Sequence, residues 1–386
     1  MNVQELTIFT GITHAINQFI TLDSKDREEY MKHCNVVRQS IDTELKNNSD
    51  LYKKISNGFE YAGSYRDNLK VSKPNEYDLI MKMKLPLSPD KVIVKPDKAG
   101  YLTINVKNLL EEMAKIPTMT EAHKELAKMT DKFGYLLQNK WLAWLESKIH
   151  NSVTSVKQLL ASEYTLKHEK HGPAQTLNVT SKRDSHISFS IDFVFGITFD
   201  LSKWIATRKP PKLAKEEDKF YMAIPKPNKL NPGEENRLWI ASYPAQDNVI
   251  IHNKNRLKDA IRFIKKIRDT QVLPNLKSYY IKTVVMLETD KRPDSYWNSS
   301  FDIVLKDMLN ATIQRFEEKK IPSYWNKNFN IIEGLNDGQR QAIISKLKKV
   351  KRTWDTVVVK EKIMETILSP HEVEILSTTI NVCGKI

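Results

Sequence analysis

The chain has 386 residues, of which 40% are hydrophobic and 28% charged, with 11 glycines and 2 cysteines. This excludes a collagen-like or disordered chain, a disulfide framework and a cysteine-rich zinc site. Lysine and arginine outnumber the acids by a net +14 at pH 7, which favours polyanions such as nucleic acid, acidic lipid or nucleotide phosphates, although a generically basic surface would carry the same charge.

No run of about 18 apolar residues and no signal-peptide pattern occurs. A cytoplasmic protein of a reducing compartment, with no membrane partner, is expected. The first long element is a helix over Asp23 to Lys46, with Tyr30, Cys34, Val37, Ile41 and Leu45 at spacings of three or four. At 1.5 Å per residue it spans about 35 Å. Next, "FEYAGSY" leads a strand into a glycine turn, and "NEYDLIMKMKLP" pairs beside it. In that second strand Tyr77, Leu79, Met81 and Met83 alternate with Glu76, Asp78, Ile80 and Lys82. Glu76 and Asp78 therefore point the same way. Two like charges so close are unfavourable unless a cation sits between them. The nine residues alone fit either a divalent metal or a solvated polar face.

Residues 103 to 162 have a mainly helical pattern. A clean strand follows over His186 to Phe199, with Ile187, Phe189, Ile191, Phe193 and Phe195 on one face and Ser188, Ser190, Asp192 and Val194 on the other. Asp192 is then either a functional carboxylate or a buried, hydrogen-bonded one. Pro210, Pro211, Pro225, Pro227 and Pro232 mark a linker between Arg208 and Asn236. Beyond it the patterns are helical. The expected organisation is an α/β lobe over residues 1–206 and a helical lobe over 207–386.

Gly63-Ser64, Glu76-x-Asp78 and Asp192 form an ordered set. Phosphoryl transfer rests largely on positioning and charge neutralisation. Two metal ions about 4 Å apart can clamp the attacking and leaving oxygens, and carboxylates from two adjacent strands would hold them. Backbone N–H groups around Gly63-Ser64, opening a helix, would bind a triphosphate. Ser64 also fits a plain helix cap.

The set is similar to that of the DNA-polymerase-beta superfamily of nucleotidyltransferases. The run "GSYRDNLKVSKPNEYDLIMKMKLP" resembles the cyclic GMP-AMP synthase and Mab-21 family, the insect cGAS-like receptors in particular. "WIASYP", "RLKDAIRFIKKIRD" and "KSYYIKT" resemble later motifs of the same family, the first of them a strand of its second lobe. The resemblance implies a two-lobed α/β nucleotidyltransferase fold, polymerase-beta-like, with a long spine helix and a mainly helical C-terminal lobe. It implies that Glu76, Asp78 and Asp192 are catalytic and bind two Mg2+ or Mn2+ ions, and that Asp192 helps activate the attacking hydroxyl. Gly63 and Ser64 would meet the donor triphosphate. Ser242 would contact a nucleotide, Arg262 would take the place of a lysine at a triphosphate, and Ser278 and Lys282 would hold phosphates. Tyr279 would stack on a base, although it could also merely pack. The implied substrates are ATP and GTP, and the implied product a cyclic GMP-AMP, an innate immune second messenger in antiviral defence.

Two departures shape the expectation. Ile240 stands where the family's arginine follows the tryptophan, which bears on base choice. "DNVIIHNKNR", Asp247 to Arg256, has no cysteine and no room for a zinc thumb, which shifts the expected activator from DNA to double-stranded RNA. Lys25, Arg27, Lys254, Arg256 and Lys258 would form the RNA surface, with oligomers on RNA expected, although a charge run is also an ordinary solvated face. The alternatives are a non-catalytic Mab-21-like protein that binds nucleic acid or nucleotide, and an oligoadenylate synthase-like enzyme.

Overall fold

The computed structural model describes residues 3–21, 24–71, 73–171, 174–213, 215–226, 236–356 and 359–383. The chain packs as two compact units: Ser24–Arg66 with Pro74–Asp247, and Met1–Asp23 with Asp67–Lys73 and Asn248–Ile386. Pro227 and Pro232 of the expected linker lie outside the described residues. The units divide at Asp247/Asn248, beyond all of those prolines.

The first unit is built on a mixed sheet. Its strands are β1 (Ser56–Ala62), β2 (Glu76–Met83), β3 (Ile93–Pro96), β4 (Tyr101–Asn105), β5 (Tyr164–His171), β6 (Ala174–Ser181), β7 (Ser188–Asp200), β8 (Phe220–Ile224) and β9 (Trp239–Ser242). They are ordered β1-β2-β7-β8-β9-β4-β3, with β6 also paired to β7 and β5 paired to β6. The β2–β7 pair is parallel. "WIASYP", expected in the second lobe, supplies β9 and pairs with β4 and β8 in this sheet. The physical reason is Trp239, whose indole is fully buried against Trp141 with ring centroids 5.7 Å apart.

Alternation sets the two faces. Tyr77, Leu79, Met81 and Met83 of β2 are buried, as are Phe189, Ile191, Phe193 and Phe195 of β7. The spine helix, Ser24–Asn48, buries Tyr30, Cys34, Val37, Ile41 and Leu45, with the Tyr30 ring 6.2 Å from that of Phe189. The opposite face carries Asp78 and Ile80 on β2 and Asp192 and Val194 on β7. Ile80, Met222 and Ile224 form a small apolar cluster there. Gly196 permits it, since a Cβ at that position would lie 2.8 Å from Ile224 Cδ1.

The second unit is helical. The helix Asn255–Thr270 buries Leu257, Ala260, Ile261, Ile264 and Ile267 at helical spacing, and Phe263 meets Phe301 of the helix Phe301–Glu317 at 4.8 Å. Together with Ser278–Thr289 it grips the segment Asp67–Lys73 of its own unit. Lys282 Nζ pairs with Asp67 at 2.6 Å, Arg262 donates to the Asn68 carbonyl at 3.0 Å, and Lys265 donates to the Leu69 carbonyl at 2.7 Å. Among the described residues, no helix is long and apolar enough to cross a membrane.

Candidate active site

The carboxylates are placed by register. In the parallel β2–β7 ladder Asp78 stands directly opposite Asp192, and Glu76 opposite Ser190. Neighbouring strands lie about 4.8 Å apart, so the two aspartates share one face side by side. Both are half-buried, whereas Glu76, at the start of β2, is exposed. Among the described residues, no three His, Cys, Asp or Glu side chains are grouped closely enough to hold a metal ion. Three anions drawn to one point repel unless a cation sits among them. Asp78 and Asp192 alone suit magnesium, which prefers oxygen donors and commonly takes one or two protein carboxylates while keeping several waters.

Two neighbours fix the aspartates. Thr176 of β6 is the register partner of Asp192, and its Oγ1 donates to Asp192 Oδ1 from a site only 5% exposed. A single hydroxyl thereby orients the carboxylate. On the other side Ala62, the last residue of β1, pairs with Asp78. The next residue, Gly63, turns the chain at φ 59° into the short helix Gly63–Arg66. A Cβ on Gly63 would lie 1.9 Å from Asp78 Oδ2. Glycine is required there twice, for the left-handed backbone and for the space the Asp78 carboxylate fills. Ser64 follows, half-buried.

The turn is buttressed from the spine helix. Arg27 donates to the Tyr65 hydroxyl at 3.2 Å and lies over its ring, while the Tyr61 hydroxyl reaches Asn35 at 3.1 Å. Arg66 pairs with Glu60 and, at 3.8 Å, with Asp218. Burial raises the Glu60 carboxyl above the usual range despite Arg66 and Lys82 beside it. Arg27, expected on the RNA surface, thus also holds Tyr65. Lys25 is exposed in the same unit, and Ser242 ends β9 half-buried.

The remaining expected contacts belong to the helical unit. Tyr279 is 46% exposed, while its neighbour Tyr280 is buried. Ser278 accepts from Arg268 at 2.5 Å, and Arg262 also pairs with Asp259. Lys282 is committed to Asp67. Of the basic trio, Arg256 is exposed, Lys254 sits 3.2 Å from Asp294, and Lys258 is half-buried. Burial lowers the Lys258 amine's proton affinity, with Asp67 opposing and Arg262 and Lys282 adding to the effect. Only residues 252–254 join the helices Pro244–Ile251 and Asn255–Thr270.

Thr176 and Asp67 escaped the sequence reading. Thr176 lies in an ordinary alternating run, and only strand pairing shows what it touches. The sequence signal for Asp67 is its place three residues past Ser64, which says nothing of a partner 215 residues away.

Two aspartates paired across a parallel ladder beside a glycine–serine turn fit a nucleotidyltransferase, and the class is shown by comparison with known proteins. Residues 65–253 match the Mab-21 protein nucleotidyltransferase domain, and residues 256–349 the Mab-21 protein HhH/H2TH-like domain. A cyclic GMP-AMP synthase-like receptor of Ctenocephalides felis is 30% identical, covering 95% of this chain and 89% of its own. One of Lucilia cuprina is 28% identical over 81% of this chain and 82% of its own. Cyclic GMP-AMP synthase-like receptor 1 of Drosophila melanogaster is 27% identical over 89% and 91%. The chain belongs to the cyclic GMP-AMP synthase-like receptors of the Mab-21 nucleotidyltransferase family.

Proposed function

We propose that the protein is a double-stranded-RNA-activated synthase that joins ATP and GTP into a cyclic GMP-AMP, serving as a cytoplasmic innate immune sensor. The observation that carries this reading is the Asp78–Asp192 pairing beside the Gly63 turn. The attacking hydroxyl bonds to the α-phosphorus of the donor nucleotide, and the bond from that phosphorus to the bridging oxygen of pyrophosphate breaks. Asp192 accepts the hydroxyl proton through the oxygen that Thr176 leaves available. Ser64 donates its hydroxyl to the donor triphosphate. Two Mg2+ or Mn2+ ions, held by Glu76, Asp78 and Asp192, would supply counter-charge to the phosphates. Tyr279 offers a π face to a base, a contact of about 1–3 kcal/mol.

The short 252–254 connection supports RNA over DNA, since it leaves no room for a zinc thumb. A-form duplexes can be told from B-form by shape and 2′-hydroxyls. Lys25 and Arg27 are exposed in the first unit and Arg256 in the second, and each is proposed separately as an RNA contact. The test is synthesis titrated against RNA and DNA duplexes of graded length. Activation by long RNA alone is expected, and equal activation by DNA would overturn the RNA assignment.

A further inference from the structure

The face that carries Asp78 and Asp192 continues along the strands to a second, oppositely charged place. Lys82 and Lys84 lie four and six residues beyond Asp78, about 13 and 20 Å along β2 and just past its end. There a cleft of about 520 Å³ opens between the far ends of β2 and β7 and the start of β8. That volume falls within the roughly 300–1,000 Å³ of small-ligand sites.

The cleft is built rather than incidental. Lys203 donates from its ammonium to the carbonyls of Pro89 and Val92, which pins the turn that forms one wall. Lys219 and Phe220 stand at the start of β8, and Lys82 Nζ lies 5.1 Å from the Phe220 ring centroid. Lys219 pairs with Glu216. Lys82 and Lys84 instead have Glu60 and Asp200 as electrostatic neighbours, and among the described residues neither has a carboxylate ion-pair partner. Lys82 and Lys84 share this cleft with Phe220 and Leu85, a lining that matches a ligand carrying both phosphate and a flat apolar part.

The cleft is also separate from the catalytic acids. Glu60 stands opposite Ile80, and Asp218 lies two residues before Phe220. Arg66 pairs with both, so these ion pairs cross the face between the two places. The Ile80–Met222–Ile224 cluster lies on the same boundary. Neither Asp78 nor Asp192 lines the cleft.

We propose that this cleft is a second, non-catalytic binding site for a nucleoside polyphosphate, with Lys82 and Lys84 receiving the phosphates. The ammonium groups bind phosphate as point charges. Phe220 and Leu85 supply the apolar wall.

Equilibrium dialysis of the full-length protein against α-labelled ATP in Mg2+ buffer tests this. Lys82→Glu/Lys84→Glu is expected to lose one ATP equivalent per chain relative to the unaltered protein. It is also expected to bind inorganic tripolyphosphate at least tenfold more weakly. Lys82→Gln/Lys84→Gln, with an unchanged circular dichroism spectrum and melting temperature, should show the same loss and so separates binding from misfolding. An unchanged ATP count in both variants overturns the proposal. So does a loss of duplex RNA binding with ATP binding intact, which would assign these cations to nucleic acid. Because the readout is the equivalent lost on substitution, it stands or fails independently of whether the chain forms a cyclic product.

Discussion

The proposed role of Asp78 and Asp192 rests on one feature, the parallel register that sets them opposite each other. Asp78→Asn or Asp192→Asn should lower synthesis about a thousandfold, the equivalent of about 4 kcal/mol of transition-state stabilisation. Melting temperature should be unchanged, since a repulsive charge has been removed from a half-buried site. Thr176→Val removes only the hydroxyl that orients Asp192. We expect a reduced kcat with little change in KM, and recovery in Thr176→Ser; a change in KM alone would contradict the positioning role. Gly63→Ala should fail on both activity and stability, because its Cβ would collide with the Asp78 carboxylate. At Cys34, burial pushes the thiol up to about 12. Its alkylation by iodoacetamide at pH 8 should run more than about a hundredfold slower in folded than in urea-unfolded protein, as peptide mapping would show. The placing of Asp78 and Asp192 on otherwise apolar strands is legible in the sequence, because carboxylates there are conspicuous. Thr176 was not, since its significance depends on a strand pairing that no local pattern encodes.

Among the elements, the two that place the site were the most legible. The strands around Asp78 and Asp192 alternate cleanly, and the spine helix repeats its apolar residues at three and four. The lobe of β9 is not legible in the sequence, because "WIASYP" is too short for periodicity to say which sheet it joins. Its membership rests on pairing with β4 and β8. The Lys282–Asp67 pair carries the element-scale prediction. Its side chains are 11% and 5% exposed, and removing one partner of a buried pair costs about 3–5 kcal/mol. Lys282→Ala should therefore lower the melting temperature, and Lys282→Ala/Asp67→Ala should recover much of that loss. A Lys282→Ala variant of unchanged stability would show that this lysine serves a ligand and not the segment Asp67–Lys73.

For the whole molecule, the net charge of +14 pointed to a polyanion without saying which. Some of the cations are engaged within the protein: Lys203 with carbonyls, Lys266 with Glu372, Lys148 with Glu125. Residue counting cannot separate such internal cations from those that meet a ligand, which is why Lys254 and Lys258 looked as open as Arg256. The family and its nucleotidyltransferase domain agree with the paired aspartates, so the central claim is catalytic. Its most direct test is to incubate the protein with labelled ATP, GTP, Mg2+ and long double-stranded RNA, beside Asp192→Asn. The account predicts a phosphatase-resistant product that needs both nucleotides and is absent from the variant. Equal product from Asp192→Asn, or none from the unaltered protein with any duplex, would contradict it.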